Sequence, residues 1–451
     1  MTSLKQRAIR GAIWITVGFG GRYILRFGNN LVLTRLLQPE FFGLMALVTT
    51  FRMGLSLFSD IGISQNIVNS KRGDDPVFLN TAWSLQAIRG VVIWIACVLF
   101  ISFPASYFYQ EQRLLLLIPI SALSSVFDGF SSTSIHTLHR QMELRKLSIY
   151  ELILQASFFA TLIILAYFYP TIWSLAIGTA IGGLYKLVSS FWLIPNYSNR
   201  FRWEKEAVKE ILSFGKWMFI ASGLMFAAEQ SDRLVLAKIL SFKLLGVYTV
   251  AYTLASIPKE IIRQLSNKVI FPTIAKQKDL PRNSLREKII KQRRLILLGC
   301  GIILAALVTV GDLVISLLYD KRYIAATWMM PILCSGMWFS LLFYTISPAL
   351  LAIGKPLYSA QSNFARFTII ILAVPIAHQS FGVLGAISVI AFSDFPLYIV
   401  NLYGLWQEKL FCLAQDIQTT AFFIIILALF LFIRHSLGFG LPIEQLLQGS
   451  M

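Results

Sequence analysis

LVLTRLLQPEFFGL, residues 31–44, matches LVLAKILSFKLLGV, residues 234–247, without a gap when the sequence is shifted by 203 residues. Matched leucines alone are common by chance in apolar sequence. Four less common pairs hold the same register: Arg35 with Lys238, Gly43 with Gly246, Trp14 with Trp217 and Gly20 with Gly223. Because self-similarity at a fixed offset is the signature of an internal repeat, the sequence predicts two related halves.

The composition predicts a polytopic helical membrane protein. Of the 451 residues, 56% are hydrophobic and 14% are charged, and the mean hydropathy is +0.68, whereas soluble domains carry about 25% charged residues. Apolar runs long enough to cross a bilayer recur along the chain, and the short alternating segments of a barrel are absent. The runs predict twelve spans and a thirteenth, at residues 11–36, 41–62, 79–102, 114–135, 148–168, 171–194, 210–237, 244–267, 295–318, 325–352, 358–378, 382–404 and 417–434.

The two copies of the repeat lie six predicted spans apart. An even number of crossings leaves both halves in the same orientation, so they form parallel repeats related by an axis along the membrane normal. We therefore predict an N-terminal six-helix bundle at 1–200 and a C-terminal six-helix bundle at 201–410. An extra helix and tail follow at 411–451, and the tail is too short and polar to predict a fourteenth span.

Membrane topology explains the net charge of +18. Lys and Arg lie mainly in alternate connectors, about 24 on the side of the N-terminus and about 6 on the other, which predicts a cytoplasmic N-terminus. The cysteines form no CxxC pair, and neither a Walker A loop nor a nucleophile–base constellation is present. We predict no metal, no cofactor, no nucleic-acid partner and no catalytic residue.

The first predicted span carries a polar stripe. Gly18, Arg22, Arg26 and Asn29 recur every three to four residues, which places them on one face of a helix. An isolated Arg at the centre of a span costs about 2.5–3.5 kcal/mol on insertion scales, so such residues face a bundle interior, water or one another. Together with arginines of other spans, the stripe predicts a cavity for an anionic substrate group, lined by Arg22, Arg26, Asn29, Arg89 and Arg366.

The repeat suggests partners for these charges. Arg22 matches Met225 and Arg26 matches Glu229 at the shift of 203 residues. An ion pair between Arg26 and Glu229 would leave Arg22 without an acidic counterpart, and this asymmetry suits an anionic ligand. The alternative is that the charges form structural pairs or reach the interface from helix ends, as Arg26–Glu229, Arg52–Asp60, Asp232–Arg233, Arg35 and Lys238.

Several short motifs resemble a known family in order and spacing. They are LLQPEFFGL (36–44), FSDIGISQNIV (58–68), LLGVYTVAYTLASIP (244–258), FPTIAK (271–276), LLYDKRYIAATWMM (317–330) and AIGKP (352–356). The sequence resembles the polysaccharide-transport group of the multidrug/oligosaccharidyl-lipid/polysaccharide (MOP) flippase superfamily, which includes the O-antigen and exopolysaccharide flippases. The resemblance implies an all-α fold of two six-helix bundles in a V shape, with a cationic cavity, in the bacterial inner membrane.

The resemblance implies a function without covalent chemistry. Such a flippase moves undecaprenyl-pyrophosphate-linked oligosaccharide between leaflets by alternating access, and it works beside membrane lipids and the polysaccharide polymerase or export machinery. Coupling to H⁺ or Na⁺ would use a carboxylate in a span, with the candidates Glu151, Glu229, Asp232 and Asp394. One alternative is a cation-coupled drug exporter, which needs an acidic or aromatic pocket; another is a membrane glycan polymerase or transferase, which needs a large outer loop or an acidic motif.

Overall fold

The computed structural model of the protein describes residues 4–194 and 198–442, and within these ranges it is helical without a strand. The helices are α1 (Leu4–Leu36), α2 (Pro39–Phe58), α3 (Ile63–Asn69), α4 (Pro76–Ala96), α5 (Ser102–Tyr109), α6 (Leu114–Phe130), α7 (Ser134–Arg140), α8 (Leu144–Phe168), α9 (Ile172–Ser190), α10 (Lys205–Ile239), α11 (Phe242–Ala255), α12 (Ile257–Leu265), α13 (Phe271–Ala275), α14 (Arg282–Leu318), α15 (Ala326–Ala352), α16 (Leu357–Phe392), α17 (Asp394–Gln407) and α18 (Leu413–Ser436). Short π-helical turns continue α4 into α5 and α12 into α13.

The chain divides into two compact units, residues 1–226 and 227–451, which we call the N-terminal unit and the C-terminal unit. The division falls inside α10, the helix in which the second copy of the repeat begins. The side chains of Trp14 and Trp217, which support the repeat in the sequence, lie outside the described residues, as does the end of the tail after residue 442.

Each predicted span falls on one helix or on consecutive helices. In the described part of the chain, eight helices are long and apolar enough to cross a membrane, or nine if α6 and α7 form one bent span. The bend between α6 and α7 is 59°, and α16 is broken at Gly382, where φ is 61°. Hydropathy therefore locates the apolar segments, but it does not locate the breaks inside them.

Small residues set the packing of the N-terminal unit. A Cβ on Gly18 would lie 3.0 Å from the Ser148 side chain, and one on Gly21 would lie 3.0 Å from that of Leu152, so α1 rests closely on α8. A Cβ on Gly90 would lie 2.5 Å from the carbonyl oxygen of Ser125, which holds α4 against α6. Close backbone approach through small residues is the usual device where lipid gives no hydrophobic drive between helices.

The C-terminal unit is built around α15, whose apolar stretch is 78% buried, whereas that of α18 is only 17% buried. The Trp338 ring of α15 stacks on Phe423 of α18, with ring centroids 4.8 Å apart. The Trp338 indole N–H also donates to Thr420 Oγ1 at 2.9 Å. The helix beyond the six-helix repeat is therefore packed onto the centre of this unit.

Two buried ion pairs join α18 to α14. Arg293 of α14 contacts Asp416 of α18, and both side chains are at most 4% exposed. Nearer the other ends of these helices, Arg434 of α18 donates two hydrogen bonds of 2.6 Å to the carboxylate of Asp312 of α14. Each of the two helices therefore contributes one arginine and one aspartate to the two pairs.

Candidate functional site

The polar stripe on α1 begins against α8. The close contact at Gly18 and Gly21 brings α8 near enough for Arg22 to form an ion pair with Glu151, and each side chain is about one-third exposed. The Gln155 side-chain amide of α8 donates to the Arg22 carbonyl oxygen at 3.4 Å. The expectation that Arg22 lacks an acidic counterpart is wrong, because the repeat does not encode the packing of α1 on α8.

Arg26 and Asn29 lie one and two turns beyond Arg22. Arg26 is exposed, and within residues 4–194 and 198–442 it makes neither an ion pair nor a hydrogen bond. The side-chain oxygen of Asn29 is buried and has no hydrogen-bond partner in the same ranges. Of the two arginines in the stripe, Arg26 is therefore the one whose guanidinium can contact a ligand.

We expect the Arg22–Glu151 contact to be a structural pair. Glu151→Ala should reduce the folded fraction of the protein in membranes, since it leaves the partly buried guanidinium of Arg22 without its partner. Arg22→Ala combined with Glu151→Ala should recover much of the loss. Thermal unfolding of the two single variants and the double variant measures the coupling energy, and additive effects would contradict the pairing.

Arg89 lines a polar cavity inside the N-terminal unit. Its guanidinium donates to Ser59 Oγ at 3.1 Å and to the Ser56 carbonyl oxygen, and it lies 4.0 Å from the Asp60 carboxylate. Asp60 therefore lies beside Arg89, whereas the sequence suggested Arg52, whose Nε is buried without a hydrogen-bond partner in the described part. The cavity has a volume of about 310 Å³.

The broken span α6–α7 forms one wall of this cavity. The carbonyl oxygens left free where α6 ends are satisfied by Gln86 of α4, whose side-chain amide donates to the carbonyls of Asp128, Gly129 and Ser131 at 3.0–3.1 Å. On the other side of the break, Ser190 Oγ accepts from the Ser132 backbone N–H at 2.8 Å. Sequence reasoning missed this break, although the run of hydroxyl residues SSTS at 131–134 is its signal.

In the C-terminal unit, the predicted cavity residue Arg366 lies in a buried network. Its guanidinium contacts Asp394 at 2.8 Å, and Lys259 contacts the same carboxylate at 2.9 Å. All three side chains are at most 10% exposed, and Ser340 also donates to Asp394. Arg366 and Asp394 are therefore held by each other, and the sequence did not suggest Lys259 as their partner.

The two candidate ion-coupling residues of α10, Glu229 and Asp232, have different surroundings. Glu229 contacts Arg263 at 3.2 Å, in place of the predicted pair with Arg26. Asp232 accepts a hydrogen bond of 2.6 Å from the Tyr248 hydroxyl, while its second carboxylate oxygen is buried without a hydrogen-bond partner among the described residues. The suggested partner Arg233 donates to Gln230 instead, at 2.9 Å.

Comparison with known proteins agrees with the helical architecture. The sequence profile of a family described as "Polysaccharide biosynthesis protein" matches residues 32–328. The chain is 23% identical to the lipopolysaccharide biosynthesis protein WzxC of Escherichia coli K12 over 388 residues, which cover 85% of this chain and 77% of WzxC. It is 24% identical to the succinoglycan biosynthesis transport protein ExoT of Rhizobium meliloti over 265 residues, 58% of this chain and 53% of ExoT.

Solved structures share the fold. The lipid II flippase MurJ in an inward closed conformation matches with a TM-score of 0.73 at 14% identity, covering 93% of this chain and 92% of MurJ. An inward-facing multidrug resistance MATE family transporter of the MOP superfamily matches with a TM-score of 0.61 at 13% identity, covering 87% of this chain and 94% of the transporter. The predicted all-α, MOP-like fold class is confirmed. Since the family profile matches more than half of its length, this multi-pass membrane protein belongs to the polysaccharide biosynthesis protein family.

Proposed function

We propose that this protein moves undecaprenyl-pyrophosphate-linked oligosaccharide from the cytoplasmic to the periplasmic leaflet of the bacterial inner membrane. The relatives support a lipid-linked glycan as cargo, since their names place them in lipopolysaccharide biosynthesis and in succinoglycan transport. MurJ, which shares the fold, is a lipid II flippase according to its name. The product would feed cell-surface polysaccharide synthesis, next to the polymerase and export machinery.

The observation that carries this proposal is the exposed guanidinium of Arg26. It lies on α1, which the sequence predicts to cross the membrane; it is unpaired among the described residues, and the orphaned oxygen of Asn29 lies one turn away. A membrane protein keeps such a charge where it meets an ion or a substrate. A guanidinium donates two parallel hydrogen bonds to phosphate, so the pyrophosphate of the carrier lipid is the group we assign to Arg26.

The mechanism we propose is alternating access, with the N-terminus in the cytoplasm and the polyprenyl chain remaining in lipid. No bond of the substrate is made or broken. The glycan and pyrophosphate pass through a polar path while the protein exchanges two states, as in transporters whose repeats move against one another.

Coupling to an H⁺ or Na⁺ gradient is part of the proposal, and the structure separates the four candidate carboxylates. Three of them contact cations: Glu151 with Arg22, Glu229 with Arg263, and Asp394 with Arg366 and Lys259. A carboxylate held by a cation is a poor carrier, since the cation competes with the transported ion. Asp232 accepts only a hydroxyl hydrogen bond and keeps one oxygen without a hydrogen-bond partner among the described residues, so we assign coupling to Asp232.

Complementation tests the proposed function. In a bacterial strain that lacks its own oligosaccharide flippase, the protein should restore surface polysaccharide and remove the lipid-linked unit that accumulates on the cytoplasmic side. Asp232→Asn should restore less than the wild-type protein. Unchanged polysaccharide together with new resistance to cationic dyes would contradict the proposal and favour the drug-exporter alternative.

A further inference from the structure

Two pairs of oppositely charged side chains lie on the walls of the polar cavity in the N-terminal unit. Lys186 of α9 contacts the Asp128 carboxylate of α6 at 2.7 Å, and Arg89 of α4 lies 4.0 Å from Asp60. The lining includes two cations, two carboxylates and the imidazole of His136. Its formal charge is therefore balanced, in contrast to Arg26, which has no ion-pair partner among the described residues.

This balance disfavours an anion as the ligand. A phosphate would meet two carboxylates and also the C-terminal end of α6, where the helix dipole is negative. A cation would meet Arg89 and Lys186. Neutral hydroxyl groups suit the walls better. Each hydroxyl donates one hydrogen bond, which a carboxylate or serine can accept, and accepts others, which a cation or serine can donate.

The size and lining indicate a single ring-sized polar ligand. A volume of about 310 Å³ lies at the low end of the ~300–1,000 Å³ range of small-molecule sites. Serine and glutamine side chains supply further hydroxyl and amide groups: Ser56, Ser64, Gln65, Gln86 and Ser125. Apart from the imidazole of His136, the lining residues include no aromatic ring, so recognition would rest on hydrogen bonds.

The broken helix next to the cavity is held in place before any ligand arrives. Gln86 satisfies the carbonyls at the end of α6, and Asn199 accepts from Ser132 Oγ at 2.9 Å and from the Thr133 backbone N–H at 3.2 Å. Irregular backbone at membrane depth is tolerated where it is buried in protein or lines a polar cavity, and discontinuous helices commonly form the binding sites of transporters. Pre-organisation of this kind lowers the ordering cost of binding.

We propose that this cavity binds one sugar residue of the transported glycan and thereby selects which oligosaccharides are accepted. This inference rests on the proposed function and adds a substrate subsite to it. Asp128 and Lys186 are the specificity-determining pair, because their charged groups reach the cavity from two helices and can hold neighbouring hydroxyls. Arg26 binds the pyrophosphate, which all such lipids share, whereas the cavity binds a sugar, which differs between them.

Export in several hosts tests the specificity. A panel of strains without their own flippase, each making a different lipid-linked repeat unit, should show that Asp128→Asn and Asp128→Asn/Lys186→Gln change the ratio of exported glycans by about tenfold, the effect of losing a hydrogen bond to a charged group. Asp74→Asn is the matched control, since that carboxylate pairs with Arg140 on the surface and does not line the cavity. Wild-type ratios in well-folded cavity variants would overturn the inference. If the wild-type protein exports no glycan in any strain, the proposed function fails instead.

A direct binding measurement remains informative in either case. In the full-length protein with its four cysteines replaced by alanine, Ser64→Cys places a thiol on the cavity wall for labelling in membranes. Methyl hexopyranosides should slow labelling at least about twofold, and they should not do so when Asp128→Asn/Lys186→Gln is added. Absence of protection by every glycoside, or protection by inorganic pyrophosphate alone, would overturn the assignment of a sugar.

Discussion

Arg26→Ala should lower surface polysaccharide by at least about tenfold and leave the amount of folded protein unchanged. The side chain is exposed and makes no ion pair among the described residues, so its removal strands no buried carboxylate there. Hydrogen bonds to charged groups are worth about 1.5–3 kcal/mol, which corresponds to a loss of about ten- to a hundredfold in binding. Quantification of surface glycan, and of the lipid-linked unit that accumulates inside, measures the effect.

Two further substitutions control this result. Arg26→Lys keeps the positive charge but not the fork of donors, so it should retain only part of the export. Arg35→Ala changes an arginine in the last turn of the same helix and should export normally. Full export by Arg26→Ala would remove Arg26 from the substrate path, and the proposed function would lose the observation that carries it.

Asp416→Asn should produce the largest loss of stability. Asp416 contacts Arg293 and accepts a 2.6 Å hydrogen bond from the Tyr398 hydroxyl, and the two charged side chains are almost completely buried. Removal of one partner of a buried pair costs about 3–5 kcal/mol, since the remaining charge is uncompensated. The midpoint of thermal unfolding in detergent should fall markedly.

The reciprocal replacement separates charge from packing. Asp416→Leu combined with Arg293→Met removes both charges and should recover much of the stability, because apolar residues of similar volume can replace a buried pair. Lys355→Ala is the surface control: its side chain is 52% exposed beside Glu408, and exposed pairs contribute about 0–1 kcal/mol. A double variant no more stable than Asp416→Asn would show that packing, rather than the uncompensated charge, dominates.

Hydropathy was sufficient to locate the long apolar segments, since an apolar run of membrane length has few other stable structures, but not the breaks within them. The repeat also identified α1 and α10 as corresponding helices. The repeat could not identify charge partners, because these depend on how each helix is rotated about its axis and on which helices pack against it. Gly18 and Gly21 turn α1 towards α8, so Arg22 meets Glu151, which is remote in sequence and absent from the repeat comparison.

The polar cavity shows a second limit of sequence reasoning. Arg89 stood out as an isolated charge in an apolar run, but its neighbours come from α2, α6 and α9. Lys186 also stood out as a charge inside a predicted span, but Asp128, near the end of α6, was not recognised as its partner. Their meeting depends on the close crossing of α6 and α9, where a Cβ added to Gly183 would lie 3.0 Å from the Cα atom of Ser124. Such a crossing has no periodic signature in the sequence.

The two ion pairs between α14 and α18 fix the position of α18 in the C-terminal unit. Arg293 and Asp312 are 19 residues apart on α14, which is about 28 Å along a helix and close to the ~30 Å hydrocarbon thickness of a bilayer. A slip of α18 by a single turn would break both contacts together, so the helix has only one register. Loss of α18 would also leave Arg293 and Asp312 of α14 without their ion-pair partners. Among the described residues, the charges of Arg293 and Asp312 are neutralised by α18, so the C-terminal unit depends on this helix for its stability.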